Sequence, residues 1–84
     1  MQLHQAILTG HAARQLERRQ LSETDVRRVL AAPEQVVPVR AGRVVAQGLI
    51  GEHLLRVFVD IDRTPPEVVT VYQTSKIAKY RSES

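Results

Sequence analysis

"RVVAQGLIGEHLLRVFVDI", residues Arg43 to Ile61, decides the fold. Two apolar runs rich in β-branched residues flank Gly51 and Glu52, a connection short enough to read as a hairpin. In the second run Leu55, Val57, Val59 and Ile61 recur with a period of two, so one side of this strand is purely apolar. Arg56 and Asp60 fall on the opposite side, together with Leu54 and Phe58. A strand with this pattern buries one face and leaves the other partly polar.

Beyond the hairpin, "DRTPPE" reads as a turn and "VVTVYQT" as the next strand. Strict alternation assigns Val69 and Val71 to the apolar side and Val68, Thr70 and Tyr72 to the other. Arg56, Thr70 and Tyr72 then lie near one another if the two strands pair as neighbours. On the N-terminal side, "VVPVR" is interrupted by Pro38, which fits an edge strand or an irregular lead-in. The expected sheet is an antiparallel meander of three or four strands.

Two short helices are expected before the strands. From about Gly10 to Gln20, the helical period turns Ala12, Leu16, Ala13 and Arg19 one way and His11, Arg14, Gln15 and Arg18 the other. "SETD" then marks a second start, with Ser22 as N-cap and the acids Glu23 and Asp25 at the positive end of the helix dipole. Val26, Val29 and Leu30 follow at helical spacing, and Pro33 ends the run. The fold class is α+β, with two N-terminal helices packed on one face of the sheet. The segment "SKIAKYRSES" fits either a short helix, through Ile77 and Tyr80, or a final strand.

A chain of 84 residues is expected to form a single domain over 1–84. Its 43% hydrophobic content fits a packed globule, while 4% aromatic content and the absence of Trp argue against a platform stacking several bases. No Cys is present, which excludes disulfides and thiolate zinc sites. The three His are scattered, so no metal site is expected, and no phosphate-cradling glycine loop indicates a small-molecule cofactor. No signal peptide and no membrane-spanning run is legible, so a cytoplasmic location is the default expectation.

The net charge is +3, distributed unevenly. Residues 1–43 hold seven Arg against four acids, whereas residues 44–84 balance five bases with five acids, three of the bases lying in "KIAKYR". Two basic clusters thus sit toward the ends of the chain, either as ordinary solubilising surface or as a footprint for an anionic partner.

RNA cleavage without metal requires a group to take the 2′-hydroxyl proton, cations for the phosphorane and an acid for the leaving oxygen. His11, the arginines, Lys76 and the two tyrosines supply each type. A histidine at a helix start with arginine one turn on is apt for phosphate. His11 reads equally as a polar residue of the first helical turn. Arg19, beside Leu16 and Ala12, reads as a brace whose stem lies on the core. Thr70 and Tyr72 read also as ordinary strand residues.

"GHAARQLERRQLSETDVRRVLAAPE" resembles the opening of a small bacterial family, domain of unknown function 4258, through His11, Ala12, Arg19, Leu21, Ser22, Val26 and Pro33. "VVTVYQTSKIAKY" is similar to that family's ending at Thr70, Tyr72, Thr74, Ser75, Lys76 and Tyr80. Two departures are Gln20, where glycine is common, and Gln15, where arginine is frequent. The resemblance implies a fold of the barnase, colicin and RelE-like ribonuclease group. It further implies a candidate endoribonuclease of toxin type acting on RNA, in some cases at the ribosome, restrained by an antitoxin protein.

On that expectation His11, Arg14, Lys76 and Tyr72 carry catalysis, and Arg19, Arg56, Thr70, Tyr80 and Arg81 contact RNA. The alternatives are a non-catalytic module binding nucleic acid or protein through the same surface, and a structural protein whose exposed strand edge pairs with another chain.

Overall fold

The computed structural model describes residues 3–81, excluding the side chain of Arg81. A 3-10 turn at Leu3–Gln5 leads into β1 (Ile7–Leu8), then α1 (Gly10–Arg19) and α2 (Glu23–Ala31). Strands β2 (Gln35–Arg40), β3 (Arg43–Ile50), β4 (His53–Asp60) and β5 (Glu67–Thr74) follow, and α3 (Ile77–Arg81) closes the described chain. The α+β class and the meander of four strands agree with the sequence. The sheet is, however, five-stranded and mixed, in the order β1-β5-β4-β3-β2, because β1 pairs parallel to β5. Two residues are too short to carry a period, so this strand left no trace in the pattern. The two long helices accordingly do not precede every other element, and the C-terminal segment is helical at Ile77–Arg81.

Both long helices cover one face of the sheet, α1 against β5 and α2 against β3 and β4. The core between them holds Ala12, Leu16, Val26, Val29 and Leu30 from the helices and Val44, Ala46, Leu55, Val57, Val59, Val68 and Val71 from the strands. At about 0.8 kcal/mol per buried methylene, these aliphatic side chains supply the main favourable term. The Ser22 hydroxyl accepts from the Asp25 amide at 3.4 Å, as its N-cap position requires. Between the helices Gln20 takes the left-handed conformation, φ 56°, and its N–H bonds the Glu17 carbonyl at 3.3 Å while Leu21 N–H bonds Leu16 at 2.8 Å. At the β2–β3 turn Gly42 has φ 81°, a left-handed conformation that L side chains rarely adopt, so glycine is favoured there.

Two expected facings are corrected. Gln15, placed outward by the helical period, is buried at 6% exposure, whereas Ala13, placed inward, is exposed. The reason is the edge of β5, where β1 pairs only with Glu67 and Val68. Beyond them the Gln15 carbonyl oxygen accepts from the Val71 amide at 2.9 Å, and Arg19 Nη1 donates to the Val71 carbonyl at 3.0 Å. Two side chains of α1 thus stand in for a missing strand, and what Arg19 braces is this edge.

The second correction is in β5, where the register shifts between Phe58 and Val59. Phe58 pairs with Thr70 but Val59 pairs with Val68, leaving Val69 unmatched in a β-bulge. Val68 therefore turns into the core, fully buried, and Val69 does not. Strict alternation cannot register an extra residue.

Candidate functional site

The sheet face turned away from α1 and α2 carries Gln35, Gln47, Arg56 and Tyr72 in one straight row. They are cross-strand partners in register: Gln35 opposite Gln47, Gln47 opposite Arg56, and Arg56 opposite Tyr72. Directly opposed residues on one face lie within side-chain reach, so the row can bond along its length. Gln47 Nε2 donates to Gln35 Oε1 at 2.6 Å, and Arg56 Nε donates to Gln47 Oε1 at 3.0 Å. Arg56 Nη1 donates to the Tyr72 hydroxyl.

Above this row sits α3. The Tyr80 ring centroid lies 4.0 Å from the Arg56 guanidinium carbon, while the Tyr72 and Phe58 rings lie at 5.5 Å. Phe58 and Tyr72 stack with centroids 5.9 Å apart. A guanidinium over aromatic faces contributes about 0.5–2 kcal/mol, more as water is excluded. Arg56 is half-buried, and the three rings and two polar partners around it replace its lost water.

The tyrosines are electrically unequal. Burial raises the Tyr72 hydroxyl above its ordinary value, reinforced by its bond to Tyr80 and opposed by Arg56. The hydrogen bond from Tyr72 lowers Tyr80, helped by Lys79, Arg56 and Lys76 against a smaller effect of burial. Arg56 donates to Tyr72 and Tyr72 donates to Tyr80, so negative charge is best held at Tyr80.

Thr70 lies on the same face, opposite Phe58, and Lys76 is exposed between β5 and α3, its amide bonding Thr74 Oγ1 at 3.0 Å. Tyr72, Tyr80, Arg56, Thr70 and Lys76 thus gather on one side of the sheet. His11 and Arg14 are exposed on α1, which packs on the other side, so the sheet separates them from this group. Arg19 is engaged at the β5 edge. The side chain of Arg81 lies outside the described residues.

Gln47, Gln35 and Phe58 were not expected at this site. A two-residue connection pairs Ile50 with His53, and counting back from there puts Gln47 opposite Arg56, so Gln47 was legible in the sequence. Gln35 depends on the Pro38 irregularity, and nothing local reveals it.

A second charged group lies at the far end of the strands. Arg43 Nε and Nη2 grip the buried Asp60 carboxylate at 2.6 and 3.2 Å, and Arg63 Nη1 bonds Glu67 at 2.6 Å. These arginines satisfy acids. A cavity of about 360 Å³ beside β2 is lined by Leu3, His4, Leu30, Ala31, Pro33 and Val36, apolar apart from His4. Among the described residues no group of three His, Cys, Asp or Glu is placed to hold a metal ion, and no helix is long and apolar enough to cross a membrane.

The family model described as Domain of unknown function (DUF4258) matches residues 8–73, most of the chain. No curated protein and no solved structure matches the chain significantly.

Proposed function

We propose, for a chain that belongs to the domain of unknown function DUF4258 family, that it is a metal-independent endoribonuclease of RelE-like toxin type. Its substrate is RNA, including RNA on the ribosome, and its partner in the cytoplasm is a small antitoxin protein. The observation that supports this reading is the donor chain Arg56 to Tyr72 to Tyr80 with Lys76 beside it.

Tyr80, whose hydroxyl these neighbours make easier to deprotonate, takes the proton of an RNA 2′-hydroxyl once it has given up its own. The 2′-oxygen attacks the adjacent phosphorus, and the bond from phosphorus to the 5′-oxygen breaks. The Lys76 ammonium stabilises the phosphorane and gives its proton to the departing 5′-oxygen, leaving a 2′,3′-cyclic phosphate and a 5′-hydroxyl. Thr70 and the ring of Phe58 lie next along the face to contact a base. The proton transfer expected of His11 passes to Tyr80, because His11 lies across the sheet.

The test is incubation of mixed RNA with the protein in EDTA. Wild type and His11→Ala should cleave alike, and Tyr80→Phe should fall by about 10²–10⁴-fold, the usual range for losing a general base. Absence of wild-type cleavage, or full cleavage by Tyr80→Phe, overturns the assignment.

One observation favours a second reading. Arg56 and Tyr72 bond each other rather than point outward, which suits a rigid, non-catalytic RNA-binding face. That reading predicts RNA binding that weakens linearly in log K against log salt, without turnover.

A further inference from the structure

We infer that Gln47 is the positioning residue that seats Tyr80 over Arg56. This rests on the reading of the tyrosine pair as the working centre of the open face. Gln47 is almost completely buried, at 1% exposure, on a face it shares with the buried Val45 and Leu54 and the partly exposed Arg56 and Tyr72. A buried primary amide must satisfy two donors and an acceptor. Here Oε1 receives Arg56 Nε, while Nε2 donates both to Gln35 Oε1 and to the main-chain carbonyl of Tyr80 at 3.3 Å.

That last bond fixes α3. The five residues Ile77–Arg81 form barely more than one helical turn, too few to stand alone, and the final carbonyls of any helix lack partners within it. Gln47 supplies one of those partners. It holds the Tyr80 backbone and the Arg56 side chain from a single amide, so the ring and the guanidinium it covers are set by the same group. Only an amide of this length does both, since a carboxylate cannot donate to the carbonyl and an aliphatic side chain can do neither.

The chain contains two tyrosines and no tryptophan, both tyrosines belonging to this cluster, so phenolate absorbance near 295 nm reports on it alone. In wild type the pair should lose its protons in two separated steps. In Gln47→Leu and Gln47→Glu the steps should merge toward a single ordinary tyrosine ionisation, with far-ultraviolet circular dichroism unchanged. Gln47→Glu keeps an acceptor for Arg56 and replaces the two donors by a carboxylate that repels Gln35 Oε1 and the Tyr80 carbonyl, so it guards against a Leu variant that fails to fold. Separated steps persisting in a folded Gln47→Glu, or a single step in wild type, would refute the inference. The titration involves no RNA: merged steps in a protein that cleaves nothing would leave the positioning role standing and remove only the ribonuclease reading.

Discussion

Asp60 shows what one buried carboxylate demands of its neighbours. It sits on the open-face side of β4, where Arg43, its cross-strand partner, meets it with two bonds. That bond, ahead of the opposing effect of burial, holds the carboxyl below its ordinary value, with Arg63 and Arg40 helping. A carboxyl depressed in the folded state adds stability that is complete above its unfolded value, about 3.9, and drains away as pH falls through the lower folded value. Asp60→Asn should therefore be less stable than wild type at neutral pH in urea unfolding, and the difference should shrink progressively below about pH 4. A difference independent of pH would show that the pairing is not the cause. Gln20 makes the complementary point for backbone: its left-handed conformation costs a non-glycine residue about 1–2 kcal/mol, and two helix-ending hydrogen bonds hold it there.

Among the elements, the relation of α1 to β5 is the least expected. A strand edge left bare inside a protein exposes an amide and a carbonyl that must find partners. Gln15 and Arg19 provide them at Val71, so α1 is fixed by polar bonds to main chain as well as by Ala12 and Leu16 in the core. Replacing Gln15 by Leu keeps the bulk and orphans the Val71 amide. A loss of about 1–3 kcal/mol in denaturant unfolding is expected, and an unchanged midpoint would show that the edge needs no cap. Element by element, legibility followed the range of the interactions. The hairpin, the Ser22 cap and the stop at Pro33 depend on neighbours in sequence and were readable. The facing of Gln15 depends on a strand 56 residues away, and the pairing of Ile7 and Leu8 on one 60 residues away in register; no local period reports either.

Taken whole, the molecule has two unlike faces. One is aliphatic and sealed by α1 and α2, while the other combines the polar row with Val45, Leu54 and Phe58 and, among the described residues, carries short α3. Arg56, Thr70 and Tyr72 were assigned to a common face from alternation alone, because that half of β5 keeps the phase of β4. His11 and Arg14 were grouped with them by chemistry, which carries no information about which side of a sheet a helix covers.

The bulge at Val69 has a consequence for how the chain tolerates change in length. Removing one residue from a strand ordinarily turns every side chain beyond it to the wrong side. β5 carries one residue more than its ladder needs: with Val69 deleted, Val68 still pairs Val59 and Thr70 still pairs Phe58, now without interruption. Deletion of Val69 should yield a folded protein with the same pattern of protected amides in hydrogen exchange, whereas deletion of Val57 should not fold. Val69 is slack in the strand, a place where the coding sequence can lose a codon and leave both faces of the sheet intact.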